Sequence, residues 1–194
     1  MYTVYFENFR QKVAMTEEEQ ELIQAHLMTR KIRKKQYILR EKDICKFVVF
    51  VEKGLLKSYS TGENGAEHII QFAPENQFIL DIYSFLTGEQ ATYNIQAVED
   101  SELIIISKSS HETLLKKSHK YETFVRILVT DAYIELQQRL NANISLHPDE
   151  LYIAFMHKYA HIAQRVPQHM IASYLGLAPE TLSRIRRKIA GRNS

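Results

Sequence analysis

The chain has one cysteine, Cys45, in 194 residues. A single thiol cannot build a disulfide framework or a multi-cysteine metal cluster within one chain. Its strand-like neighbours read it as a packed thiol. No stretch approaches eighteen consecutive apolar residues, and the amino-terminal MYTVYFENFRQKV has no apolar run long enough for a signal peptide. The default expectation is a cytoplasmic protein with no membrane partner. There is no internal repeat and no low-complexity segment. HExxH, GxxxxGK and a Ser-His-Asp spacing are all missing, so the chain reads as a non-enzyme without catalytic or metal-binding residues. Charge of one sign is scarce too, with a formal net charge of only +2.

What charge there is falls unevenly. Residues 148–194 hold seven Lys/Arg against three Asp/Glu, and residues 1–147 hold eighteen against twenty. A near-neutral body with a basic tail suggests a sensor joined to a polyanion binder.

The tail itself, QHMIASYLGLAPETLSRIRRKIAGRNS over 168–194, is the most specific stretch. Two short helical patterns flank Gly176, where a positive φ carries no Cβ clash. Ile171, Ala172 and Leu175 form the apolar stripe of the first helix, and Leu182 and Ile185 the inward face of the second. Pro179 suits a first helical turn, while Ala178 is a poor N-cap. The spacing predicts a helix-turn-helix, with five Lys/Arg and no acid after Thr181. The plain alternative is a basic amphipathic hairpin that closes a globular domain.

Upstream, Tyr2, Val4, Tyr5, Phe6 and Phe9 form an aromatic lead-in expected to pack on the body or on a partner. Thr16 and Glu19 predict a capping box that opens a helix to about Leu27. Lys31, Arg33, Lys34 and Lys35 read as a solvated loop and strand edge. From Tyr37 to Ser107, short β-rich runs alternate with turn residues, Asn64-Gly65 being the strongest hairpin signal. These runs predict a sandwich or barrel, with Asp81–Leu86 open between strand and helical turn. A short helix near 109–116 then precedes a longer one near 120–142. The longer helix carries Tyr121, Phe124, Leu128, Ala132, Leu136 and Leu140, more apolar surface than one packing face uses. A homodimer through this helix is expected, the alternative being a helix packed wholly within its own chain. Pro148 opens the last domain at N1, and Leu151–His161 forms its first helix.

A β-roll, a long helix and a helix-turn-helix, in that order, resemble the Crp/Fnr family of bacterial transcription regulators, typified by the catabolite activator protein and the oxygen-sensing fumarate–nitrate regulator. The resemblance covers roughly residues 17–190 and is most specific in RVPQHMIASYLGLAPETLSRIRRK. It implies an α+β fold: a cyclic-nucleotide-binding-like jelly-roll β-barrel, a long dimerisation helix and a small helix-turn-helix domain. The implied divisions are a sensor at 1–119, a dimerisation helix and hinge at 120–146, and a DNA-binding domain at 147–194. Glu180 and Arg184 match the family's base-reading positions, and a polar family residue is replaced by Pro179. Gln168, His169, Thr181, Ser183, Arg186, Arg187 and Lys188 are expected on the DNA backbone. The implied partners are double-stranded DNA, a second copy and RNA polymerase.

The resemblance also carries an effector cassette onto FILDIYSFLTGEQATYNIQAVED, with Asp81, Ile82, Ala91 and Thr92 as the pocket positions. Here Leu80 stands at the family's glycine and Ala91 at its phosphate-pairing arginine. Alanine cannot pair a phosphate, and a buried anion without its cation is costly. Control by an unidentified small effector other than conventional cyclic AMP, or by no small effector, is therefore expected, with no certain cofactor; a cyclic-AMP-responsive activator is the alternative. Gln137 and Gln138 lie near the family's base contact and read as helix surface. Cys45 alone cannot hold an iron–sulfur cluster. His68, His111 and His119 are the nominal haem ligands, each better read as a surface or loop histidine. A ligand sensor whose tail docks to protein instead of DNA remains the reading from another class.

Overall fold

The computed structural model describes residues 2–191, so Arg192, counted in the basic tail, lies outside the described residues. Two compact units emerge: Met1–Ser60 with Ile70–Asp131, and Thr61–Ile69 with Ala132–Ser194.

The first unit is built on eight strands: β1 (Met28–Ile32), β2 (Tyr37–Leu39), β3 (Phe47–Lys53), β4 (Leu55–Thr61), β5 (Glu67–Pro74), β6 (Phe78–Ile79), β7 (Asn94–Ala97) and β8 (Ser101–Ser107). They form two four-stranded sheets, ordered β1-β8-β3-β6 and β2-β7-β4-β5. The central strands β3 and β8 pair antiparallel, Val49 opposite Ile105 and Phe50 opposite Ile104. Their continuous apolar runs reflect burial on both faces. Val49, Val51, Leu103 and Ile105 join Leu56, Ile95 and Ala97 in one core. Phe50, Ile104 and Ile106 turn the other way into a second, aromatic core.

That second core is closed by helices. The aromatic lead-in forms α1 (Thr3–Lys12). Tyr5 meets Phe50 edge to face at 5.3 Å, and Phe9 stacks on Phe124 at 4.1 Å. The Glu52 carboxylate accepts the Val4 and Tyr5 N–H groups at 3.0 and 3.1 Å, satisfying donors that the first helical turn leaves free. The expected capping box opens α2 (Glu17–Gln24): Thr16 Oγ1 accepts Glu19 N–H at 3.3 Å, and the Glu19 carboxylate accepts Thr16 N–H at 2.8 Å. The run open between strand and helix is α3 (Ile82–Thr87), begun by Asp81 and stopped by Gly88 at φ 79°. Then follow α4 (Lys108–Lys117) and the long α5 (His119–Ser145).

Among the nominal haem ligands, His68 and His119 are exposed. His111 departs from the surface-or-loop expectation. It lies within α4, half-buried, with Nδ1 2.9 Å from the Tyr121 hydroxyl and its ring edge-on to Phe85 at 5.4 Å. Its sequence neighbours are polar, and only the packing of α5 and α3 against it removes it from water. Among the described residues no cluster of His, Cys, Asp or Glu could hold a metal ion.

The second unit contains the β4–β5 hairpin tip, the later part of α5, and three helices: α6 (Pro148–Ala163), α7 (Gln168–Tyr174) and α8 (Pro179–Ala190). No strand occurs in 146–191 among the described residues. None of the described helices is long and apolar enough to cross a membrane.

Burial holds the His111 imidazole below the usual histidine range, against a smaller upward pull from Glu112. Unfolding therefore takes up a proton once the pH falls below about 6.5. The stabilisation is complete above that value and is lost as pH falls through the folded-state value. Urea midpoints between neutral pH and pH about 5 should fall in the native protein and fall less steeply in His111→Phe. Equal slopes would place the proton uptake elsewhere.

Candidate nucleic-acid interface and effector loop

The helical unit is organised around buried Leu151, Tyr152, Phe155, Tyr159, Ile162, Val166, Ile171, Ala172, Leu175, Leu182 and Ile185. Pro148 begins α6 at N1, and the Glu150 carboxylate accepts the His147 N–H at 2.9 Å. Phe155, Tyr159 and Tyr174 form an aromatic triangle with centroids 5.3–5.9 Å apart. Helix α5 adds polar anchors. The Arg139 guanidinium lies 4.4 Å over the Tyr174 ring, and Glu135 Oε1 accepts from Lys158 Nζ at 2.5 Å and from the Tyr159 hydroxyl at 3.3 Å. Burial, with Glu135 and Tyr174 nearby, pushes the Tyr159 phenol far above its ordinary range.

The turn between α7 and α8 is closed by a Schellman motif. Leu177 N–H donates to Ala172 O at 2.9 Å and Gly176 N–H to Ser173 O at 3.1 Å. Gly176 sits at φ 68°, the left-handed conformation that glycine adopts without cost. Beyond it Ala178 contributes no side-chain cap, and Pro179 takes N1 of α8. The weak cap is partly offset by Glu180, whose negative charge in the first turn complements the helix dipole.

On α8, Leu182 and Ile185 point inward. At about 3.6 residues per turn, Glu180, Ser183, Arg184 and Arg187 share the opposite face, and all four are exposed. Gln168, Ser183, Arg186 and Arg187 come together with Pro179 and Ala190 around a depression of about 430 Å³ between the start of α7 and the flank of α8. Thr181 and Lys188 occupy the other flank. Lys188 is ion-paired with Asp149 of α6. His169 is exposed on α7 and does not line the depression.

One residue here went unmarked in the sequence. Ser173, in the last turn of α7, donates its hydroxyl to Glu67 O at 2.7 Å and accepts from Ile69 N–H at 2.9 Å. Both partners are backbone atoms of β5, more than a hundred positions away. No residue pattern could have announced them.

The four effector positions behave differently. Asp81 is buried, yet its carboxylate is fully engaged. It accepts Ser84 N–H at 2.9 Å, Thr92 N–H at 3.0 Å and the Thr92 hydroxyl at 3.4 Å. Ala91 is buried and locked by its backbone, donating to Asp43 O and accepting from Lys42 N–H. Ile82 faces out on α3. Ser84 Oγ accepts Cys45 N–H at 2.9 Å and donates to Glu89 O at 2.6 Å, and the Tyr93 hydroxyl donates to Leu80 O at 2.9 Å. Burial raises the pKa of both the Tyr93 phenol and the Cys45 thiol. The loop from Leu80 to Tyr93 is thus held by its own side chains and by Lys42, Asp43 and Cys45 beside it. The roll also has a depression of about 470 Å³ bordered by Lys42, Lys46 and Phe47 and floored by Cys45, Val49 and Ile95, and none of the four positions lines it. Gln137 and Gln138 are exposed on α5, with the Gln137 amide donating to the Tyr133 hydroxyl.

Residues 29–118 match the cyclic nucleotide-binding domain. A comparison with curated proteins finds no match. Among solved structures, FixK2 of Bradyrhizobium japonicum aligns with a TM-score of 0.75 at 17% identity, over 86% of each chain. The c-di-GMP-responsive global regulator CLP of Xanthomonas campestris aligns at 0.73 and 13%, over 92% of this chain and 93% of its own. A protein assigned to the crp/fnr family of transcriptional regulators in Eubacterium rectale aligns at 0.69 and 18%, over 92% and 85%. At these identities it is the fold that is shared.

Replacing Asp81 by Ala strips three donors of their acceptor. Only the Ser84 N–H is fully buried, and an unsatisfied buried donor costs about 1–3 kcal/mol; the two Thr92 groups, on an exposed residue, can turn to water, so a loss of about 1–3 kcal/mol in urea unfolding is expected. Asp81→Asn, which keeps an acceptor oxygen, should lose less. Equal losses would mean that side-chain volume and one retained oxygen are not enough, and that both carboxylate oxygens or their charge hold the loop.

Proposed function

From the Crp/Fnr-type regulator fold that this chain has, we propose that it is a homodimeric, sequence-specific DNA-binding transcriptional regulator without enzymatic activity. The observation that carries the reading is α8. One face is buried in the helical unit, while the opposite face presents Glu180, Arg184 and Arg187 to solvent beside a basic depression. A helix held by one face and exposed on a cationic other face suits the major groove of double-stranded DNA.

Within this reading Arg184 offers its fork to guanine O6 and N7, and Glu180 accepts from cytosine N4. Gln168, His169, Thr181, Ser183, Arg186, Arg187 and Lys188 contact the backbone. The depression gathers four of these seven around about 430 Å³, more volume than a phosphate group fills. With no strand after α5 among the described residues, the helices carry the contact by themselves. Lys188 must exchange Asp149 for a phosphate on binding.

The second copy enters through α5. Tyr133, Leu136, Leu140 and Ile144 are each at least 60% exposed, a stripe that an isolated chain leaves in water. An isologous helix pair buries it and sets two α8 helices for half-sites about one DNA turn apart. The functional divisions are a sensor at 1–119, a dimerisation helix and hinge at 120–146, and a DNA-binding domain at 147–194. RNA polymerase is the further partner this reading implies. The roll is controlled otherwise than by conventional cyclic AMP binding. Asp81 and Thr92 are already bonded to each other, and Ala91 offers no cation for a phosphate.

Selection of bound DNA from a random pool tests the whole reading, and an enriched pseudo-palindrome is expected. Arg184→Ala should cost about 1–3 kcal/mol at one base pair and relax the preference there. Lys188→Ala should weaken all DNA alike and reduce the salt slope by about 1 per half-site. Failure to enrich any sequence would count against DNA reading and for a tail that docks to protein. Leu136→Glu with Leu140→Glu should shift the sedimenting species from dimer to monomer; an unchanged dimer would move the interface off α5.

A further inference from the structure

Among the described residues strand β5 is an edge strand, paired in its sheet with β4 on one side only. An edge strand leaves backbone N–H and C=O groups without a ladder partner. Near the hairpin tip, two such groups are met by a single side chain. Ser173 Oγ donates to Glu67 O and accepts from Ile69 N–H. These atoms belong to alternate residues and lie along one edge of the strand, where a further strand would otherwise present its own N–H and C=O. A hydroxyl can both donate and accept, so serine substitutes for that pair. The hairpin tip and α7 belong to the same compact unit, while the two strands run on into the other one.

Helix α7 supports α8 directly. Ile171 and Ala172 on α7 and Leu175 at its end are buried, as Leu182 and Ile185 are on α8, the two helices touch, and Leu177 N–H returns to Ala172 O. Ser173 therefore sits between the residues that seat the recognition helix. With the clasp closed, Glu180, Arg184 and Arg187 are exposed and the basic depression is open. The clasped arrangement is one that DNA can meet without rearranging α7.

We propose that Ser173 is a positioning residue for DNA reading, a clasp through which the β4–β5 hairpin holds α7, so that closure of the clasp and DNA binding are thermodynamically linked. The proposal rests on the DNA-binding reading above. Linkage works in both directions: the clasp favours DNA binding, and bound DNA tightens the clasp. Strands β4 and β5 become the covalent route by which a change in the roll reaches the recognition helix.

The test uses the full chain and the DNA sequence enriched by selection. Amide hydrogen exchange at Ile69 is measured with and without that DNA, in the native protein, in Ser173→Ala and in Ser173→Thr. In the native protein, DNA should slow exchange at Ile69. In Ser173→Ala the amide should exchange faster, DNA should no longer slow it, and the Kd should rise by about five- to 150-fold, the range expected for two lost hydrogen bonds. Ser173→Thr, which keeps the hydroxyl, should restore both. A purely structural role would speed exchange across the helical unit and leave the response of Ile69 to DNA in place. Unchanged Ile69 exchange when the native protein binds DNA overturns the clasp and leaves the DNA reading standing. So does a Ser173→Ala protein that binds as tightly as the native one. A native protein that enriches no DNA overturns both. Should Ser173→Ala fail to fold, the comparison of free and bound native protein decides by itself.

Discussion

A helical segment of roughly 45 residues buries so little apolar surface that its stability alone is marginal. Much of this protein's design follows from that limit. Three short helices supply Phe155, Tyr159, Ile171, Leu182 and Ile185, and then the chain must find more. It borrows from α5, through Arg139 over Tyr174 and Glu135 to Lys158 and Tyr159. It borrows again from the β4–β5 hairpin, through Ser173. Each borrowed contact stabilises the unit and also connects it to an element that begins in the roll. The bonds that stabilise these helices are also the ones that tie them to α5 and to the β4–β5 hairpin.

The roll answers a different constraint. Its central strands are buried on both faces, one against the facing sheet and the other against α1 and α5. The Glu52 carboxylate seats α1 by capping its first turn, and the aromatic rings of Tyr5, Phe9, Phe50 and Phe124 do the rest. At the other end, the loop from Leu80 to Tyr93 is closed by a carboxylate inside it. Asp81 holds both the start of α3 and the backbone of Thr92. A ligand anion entering there would have to displace an acceptor already in place. Control otherwise than by cyclic AMP is proposed on the strength of Ala91 and of this bonding.

Periodicity and punctuation made much of this legible in advance. The Thr16–Glu19 box, Pro148 and Pro179 at first turns, Gly176 at the left-handed turn, and the buried stripe of Ile171, Ala172, Leu182 and Ile185 all depend on neighbours within a few positions. Local rules reach that far. His111 shows where they stop. It sits among polar residues, and its burial comes from Tyr121 and Phe85, brought to it by the packing of other helices. The loop at 81–86 shows the same limit, being too short for period to separate strand from helix until Asp81 found Ser84 N–H.

The amino-acid sequence by itself determined the order of elements, the two-sided strands, the helix-turn-helix and the basic face of α8. Each is written in local spacing, charge or turn residues. Only the tertiary structure decided that Asp81 is spent on Thr92, that four polar and basic side chains share one depression, and that Ser173 closes on the edge of β5. Those outcomes depend on hydrogen-bond geometry between segments eleven to more than a hundred residues apart. A serine that clasps a strand and a serine that faces water are the same letter in a sequence, and only the folded backbone around them tells the two apart.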